Sequence, residues 1–108
     1  MPLVYLFTNL KESALKEGIE DRIAQTIAET LGKPLEKMSV IIVPGTRLLR
    51  LRTTEPACTL HIHAINVFDA ERNPRYGPSI KKLLKDELGL EEERCAIIYH
   101  DLIFEFIG

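Results

Sequence analysis

Short apolar runs alternate along this chain with longer stretches in which apolar residues recur at a helical period. Leu3-Val4-Tyr5-Leu6-Phe7 is almost wholly apolar, the pattern of a fully buried strand. Thr8-Asn9 ends it, and Ser13 is placed to cap a helix. Leu15, Ile19, Ile23, Ile27 and Leu31 then recur every four residues, with Ala24 and Ala28 beside them. Lys16, Glu17, Glu20, Asp21, Gln25 and Glu29 take the opposite side, so an amphipathic helix is predicted. Gly32 stops it and Pro34 prevents its continuation. Met38–Val43 predicts a second strand and Pro44-Gly45 a turn. Leu48–Arg52 predicts a further short strand with exposed arginines.

The remainder follows a similar order without repeating the sequence. Cys58–Val67 predicts a long strand with Leu60, Ile62 and Ala64 on one side and His61, His63 and Ile65 on the other. Asn73-Pro74 and Gly77-Pro78 each disfavour helix at the residue before proline. The second helix is therefore expected from Ser79, with Pro78 at its first position. Ile80, Leu83, Leu84 and Leu88 form its apolar stripe, and Gly89 ends it. Glu91-Glu92-Glu93 predicts a solvated turn, Cys95–His100 another strand, and Leu102–Ile107 a final one. The expected fold is α+β, with two β-α-β units pseudo-repeated into a four-stranded mixed sheet that carries two helices on one face. The strands are apolar on both faces, so the face without helices calls for cover from further copies.

With 108 residues and 45% hydrophobic content, the chain is expected to be one domain over residues 1–108. Lys+Arg 14 against Asp+Glu 16 leaves a net charge of -2, which argues against a nucleic-acid partner. No basic start leads into an apolar stretch of signal type, and no apolar run approaches the ~20 residues of a membrane span. The expected address is the cytosol, with no membrane partner. The two cysteines, Cys58 and Cys95, form no CxxC pair and are expected as buried thiols. His61 and His63 share a strand face, but without a third and fourth ligand they are expected as packed histidines, not as metal ligands.

Pro2 follows the initiator methionine directly. Cleavage of Met1, favoured by the small residue behind it, would leave Pro2 as a free secondary amine. Such an amine titrates near neutrality, and an apolar setting lowers its pKa further by disfavouring the charged form. At neutral pH it is a candidate general base.

Met1-Pro2, Thr8-Asn9, Gly32-Lys33-Pro34, Val43-Pro44, Glu55-Pro56, Ile65 and Asn73 occur in this order and at spacings that resemble the macrophage migration inhibitory factor and D-dopachrome tautomerase family. Each pair alone is weak; the ordered set spans essentially the whole chain, with the D-dopachrome branch nearer. The redox CxxC of macrophage migration inhibitory factor is absent, since Ala57 and Leu60 stand at those positions. The resemblance implies a homotrimer whose three sheets form a barrel, with active sites between subunits. It implies cofactor-free keto–enol tautomerisation of a small carboxylated substrate, phenylpyruvate-like or dopachrome-like, and decarboxylation as a further activity of the D-dopachrome branch. Pro2 matches the catalytic base. Lys33 matches the lysine that holds the substrate carboxylate, and Lys37 would add a second cation. Ile65 matches the position whose backbone N–H binds substrate oxygen, and His63 a histidine of the pocket lining. Ala64 replaces a residue that is commonly serine. Ala96 and Ile98 stand where the neighbouring subunit of macrophage migration inhibitory factor sends in a tyrosine and an asparagine, so the wall here is expected to be small and apolar. Family members usually continue past the position of Gly108, which implies a more open site, a weaker trimer or a truncated chain. The competing implication is a cytokine-like protein that leaves cells without a signal peptide and binds a surface receptor.

Overall fold

In a computed structural model that describes residues 1–108, the apolar run behind Pro2 forms β1, Leu3–Thr8. It is followed by α1 (Ile19–Leu31), β2 (Ser39–Val43), β3 (Cys58–Ile65), α2 (Asn73–Leu88) and β4 (Cys95–Leu102). The sheet order is β2-β1-β3-β4. β1 runs parallel to β2 and β3 parallel to β4, while the central pair β1 and β3 is antiparallel. Each parallel pair is joined by its helix, since parallel neighbours need a long crossover. The result is the expected four-stranded mixed sheet with two helices on one face.

The core lies between that face and the helices. Val4, Leu6, Leu60, Ile62 and Ala64 from the sheet meet Ile19, Ile23 and Ile27 of α1 and Ile80 and Leu84 of α2, all essentially inaccessible to water. Thr8 is the one buried polar residue, and its hydroxyl donates to the Ala57 carbonyl at 2.8 Å. The Asn9 amide donates to the Thr54 and Glu55 carbonyls, and its oxygen accepts from the Ala57 N–H. Thr8-Asn9 thus ties the end of β1 to the start of β3, and an apolar pair there would orphan these backbone groups.

Four local expectations are corrected. Ser13 lies in a single 3-10 turn, Glu12–Ala14, and caps nothing; α1 begins behind Gly18, whose φ of 80° interrupts the helical run. The preceding segment instead reaches across to α2, where the Lys16 ammonium donates to the Asp86 carbonyl at 2.7 Å. α2 starts at Asn73, six residues before the expected Ser79. There the Arg72 N–H donates to the Asp69 carboxylate at 2.7 Å and the Asp69 N–H to the Asn73 side chain at 3.0 Å, a reciprocal cap that fixes the first turn. Pro74 sits where its missing N–H costs nothing. Pro78 lies inside the helix, and Gly77, without a Cβ, relieves the crowding ahead of it. Leu48–Arg52 is no strand: Arg50 and Thr53 exchange two backbone hydrogen bonds around Leu51 and Arg52, which hold φ values of 51° and 66°. Leu102–Ile107 forms no fifth strand; β4 ends at Leu102 and the chain closes on a 3-10 turn, Phe104–Phe106.

Candidate functional site

One end of the sheet gathers the start of β1, the end of β3 and the C-terminus of α1. Pro2 is fully buried, and its carbonyl accepts from the Ser39 N–H at 3.1 Å. Leu3 pairs with Ser39 on one side and His63 on the other, so extending both registers by one residue sets Pro2 between Met38 and Ala64. Ala64 is fully buried on the same face. Met38 carried no sequence signal of its own; only the register brings it to Pro2.

Lys33 arrives from the helix. Gly32 adopts a φ of 67°, and the Lys33 N–H returns to the Ala28 carbonyl at 2.9 Å, closing α1 in a Schellman turn. That turn sends the Lys33 side chain toward β3, where its Nζ donates to the Ile65 carbonyl at 3.0 Å. The half-buried ammonium has no carboxylate within salt-bridge distance. Pro2, Ala64, Lys33 and the Ile65 backbone therefore share one small region. Lys37 lies close by in sequence, exposed on the 3-10 turn Leu35–Lys37 ahead of β2, and is likewise without an acidic partner.

The other expected site residues point elsewhere within one chain. His63 alternates with Ala64 and leaves β3 on the open face. Ala96 and Ile98 lie on that open face too, on edge strand β4, with β3 between them and β1. All three histidines of the chain gather here. The His63 and His100 rings stack at 4.1 Å, His61 Nδ1 lies 2.9 Å from His100 Nε2, and Tyr5 and Phe7 meet His63 and His61 edge-on. Partial burial and the neighbouring His100 push His61 and His63 below the ordinary imidazole value. Sequence alternation showed His61 and His63 on one face but gave no sign of His100, which the parallel β3–β4 register supplies.

A polar groove of about 360 Å³ lies between the two helices, away from Pro2. Its charges are already matched, Arg22 by a bidentate pair to Glu87 at 2.8 Å and Lys82 by Asp86 at 2.6 Å, so it offers no free group for chemistry.

Against known proteins, residues 1–108 match the family model described as macrophage migration inhibitory factor (MIF). The D-dopachrome decarboxylase of Mus musculus is 39% identical over 103 residues, which covers 94% of this chain and 87% of that protein. The macrophage migration inhibitory factor of Rattus norvegicus is 28% identical over 108 residues, covering 100% of this chain and 94% of that protein. Among solved structures, the macrophage migration inhibitory factor from Trichinella spiralis superposes with a TM-score of 0.93 at 22% identity, covering 98% of this chain and 94% of that one.

Proposed function

The chain belongs to the macrophage migration inhibitory factor family, and from that premise we propose that it is a cofactor-free keto–enol tautomerase, a single domain over residues 1–108 whose general base is the Pro2 nitrogen once Met1 is removed. The observation that carries this reading is the half-buried Lys33 ammonium, held on the Ile65 carbonyl and free of any carboxylate, beside the buried start of β1.

The chemistry follows from that arrangement. With Met1 attached, the Pro2 nitrogen is an amide and has no basicity. Cleavage makes it a secondary amine in a largely apolar corner, where burial and the charge of Lys33 both favour the neutral form. A neutral amine removes the proton from the carbon next to the ketone and returns it to another position of the enol. Lys33 holds the substrate carboxylate by a charge-assisted hydrogen bond, and Lys37 adds a second positive charge at the rim. The Ile65 N–H steadies the oxygen on which charge develops. Ala64 gives a small floor. Phenylpyruvate-like and dopachrome-like acids fit this set. A dopachrome-like acid would also place its carboxylate for loss as CO₂.

Three copies closing their open faces into a barrel would bring Ala96 and Ile98 of one chain toward the Pro2 site of the next. Support comes from Ile41, Val43 and Ile98, which stand exposed on that face in a single chain. Assays of processed protein against Pro2→Gly test the reading. Turnover is expected to fall ~100-fold or more, the lower range for loss of a general base. Equal rates would remove Pro2 from the mechanism.

A second reading, a cytokine-like protein bound by a surface receptor, is favoured by a separate observation. Leu49, Leu51, Phe104 and Phe106 are large apolar side chains left mostly exposed. On that reading Pro2→Gly leaves receptor binding intact, and failure to bind any cell surface alongside strong catalysis would count against it. No helix is long and apolar enough to cross a membrane.

A further inference from the structure

We propose that Cys58 and Cys95 form a redox-active dithiol site, in which Cys95 attacks a hydroperoxide and Cys58 resolves the product into an intrachain disulfide. The site lies outside the Pro2 region and does not depend on the function assigned there.

Cys58 opens β3 and Cys95 opens β4, and the two are direct partners in the parallel register. Both join the core on the helix-covered side, so their side chains leave the sheet in the same direction. Neighbouring strands run about 4.8 Å apart. That lies inside the ~4.4–6.8 Å range of Cα separations that a disulfide bridges. Both thiols are free. Cys58 is paired on both sides, with Thr8 of β1 and with Cys95, whereas Cys95 opens the edge strand β4 and is paired on one side only, so the small approach needed for an S–S bond falls to Cys95.

The two sulfurs are not equivalent. Cys58 is 0% exposed and Cys95 8%, so a small oxidant meets Cys95 first. Two guanidinium groups crowd the start of β4. Arg50 donates from Nε to the Glu93 carbonyl at 3.0 Å and from Nη2 to the Cys95 carbonyl at 3.4 Å. Arg94 donates from Nη1 to the Arg50 carbonyl at 3.0 Å. An electropositive, slightly accessible thiol of this kind favours thiolate. The Cys95 thiol donates to the Glu91 carbonyl at 3.5 Å, which favours its protonated form, but the neighbouring Cys58, with Arg50 and Arg94, still holds Cys95 below its ordinary value, while Cys95 and burial push Cys58 up. Cys95 is thus the nucleophile and Cys58 the reserve.

The steps balance. The Cys95 thiolate attacks one oxygen of hydrogen peroxide and the O–O bond breaks, giving Cys95 sulfenic acid and hydroxide, which takes up a proton to become water. The Cys58 sulfur then attacks the Cys95 sulfur. The S–S bond forms, the S–O bond breaks, and the Cys58 proton leaves with the hydroxyl as a second water. Two thiols are oxidised and one peroxide is reduced. A dithiol reductant reopens the site by exchange.

The test is hydrogen peroxide titration of the full, reduced chain, followed by intact mass and non-reducing peptide mapping. The expected result is loss of two hydrogens, a Cys58–Cys95 linked peptide, and full reversal by dithiothreitol. Cys95→Ala should slow peroxide consumption at least tenfold. Cys58→Ala should keep the first step and accumulate a sulfenic acid at Cys95 that dimedone traps. Circular dichroism of each variant shows that it is folded before its rate is read. If either fails to fold, the native chain still decides through its linked peptide. Oxidation straight to sulfinic acids without a link, links only between chains, or equal rates for the two alanine variants would overturn the proposal.

Discussion

Lys33 carries its charge half-buried, with a carbonyl rather than a carboxylate as its partner. A neutral acceptor steadies the ammonium without cancelling it, so the charge remains available to an arriving anion. Lys33→Ala should therefore weaken capture of a carboxylated substrate. A charge-assisted hydrogen bond is worth ~1.5–3 kcal/mol, so kcat/KM should drop roughly 10- to 100-fold. The loss should appear mainly in KM, because the carboxylate is bound in ground and transition states alike. An unchanged KM in steady-state assays would take Lys33 out of substrate binding. Legibility was uneven among these residues. Pro2 and Lys33 could be placed by resemblance, and the structure brings them to one end of the sheet. The apposition of Cys58 and Cys95 could not be read, because 37 positions (95 − 58) separate them in sequence and only the β3–β4 register makes them neighbours.

Among the elements, the turn Arg50–Thr53 stands apart. Both central residues, Leu51 and Arg52, hold positive φ in a two-residue loop that ordinarily takes Asn-Gly. A residue with a Cβ pays ~1–2 kcal/mol in that conformation. Arg52 is exposed and its side chain makes no hydrogen bond, so Arg52→Gly should stabilise the fold by about 1 kcal/mol despite the added freedom of the unfolded chain, read as a higher urea midpoint. A lower midpoint would mean that the Arg52 side chain contributes contacts of its own. This turn also shows why the predicted strand Leu48–Arg52 did not form. Apolar residues alternate with arginines there as in a strand, but Arg50 and Arg94 spend their donors on the carbonyls of Glu55, Pro56, Glu93 and Cys95 and of Arg50 itself, which fixes a loop. The start of α2 was hidden for a related reason. Two prolines argued against helix, and the cap between Asp69 and Asn73 that overrides them lies in side-chain hydrogen bonds, not in periodicity. The long strands and the body of α1 were legible because their apolar period alone sets the core face.

At the level of the whole molecule, the open face gathers His61, His63 and His100 with Tyr5, Phe7, Ile41, Val43 and Ile98. Tyr5 is the only other titratable group on the strands' shared face. His61 and His63 are held below the ordinary imidazole value, so the unfolded chain binds more protons than the folded one once pH falls below about 6.5. Stability then rises with pH across that window and is lost on acidification. The thermal midpoint should drop between about pH 7.5 and about pH 5.5, and His63→Gln should reduce the drop. Asp69 and Asp86 are held below the ordinary carboxylate range, so their contributions are lost only at more acidic pH and do not confuse the comparison. Equal slopes in the two proteins would show that His63 does not couple to folding.

The place of β1 in the sheet holds the residues next to Pro2 unusually firmly. Most chain ends fray, because few hydrogen bonds hold them. Here β1 is an interior strand, laced on both sides by β2 and β3 from Leu3 onward. Pro2 is tied in by the Ser39 N–H on its carbonyl and by the two-sided pairing of Leu3 beside it, so its movement is coupled to opening of the sheet. Backbone amides of Val4–Phe7 should consequently exchange with deuterium as slowly as those in the middle of β3, and rapid exchange there would contradict a firmly held Pro2. On the proposed function, the same lacing would make the loss of Met1 a chemical event without a folding step: cutting one peptide bond would change an inert amide into an amine whose position was settled beforehand.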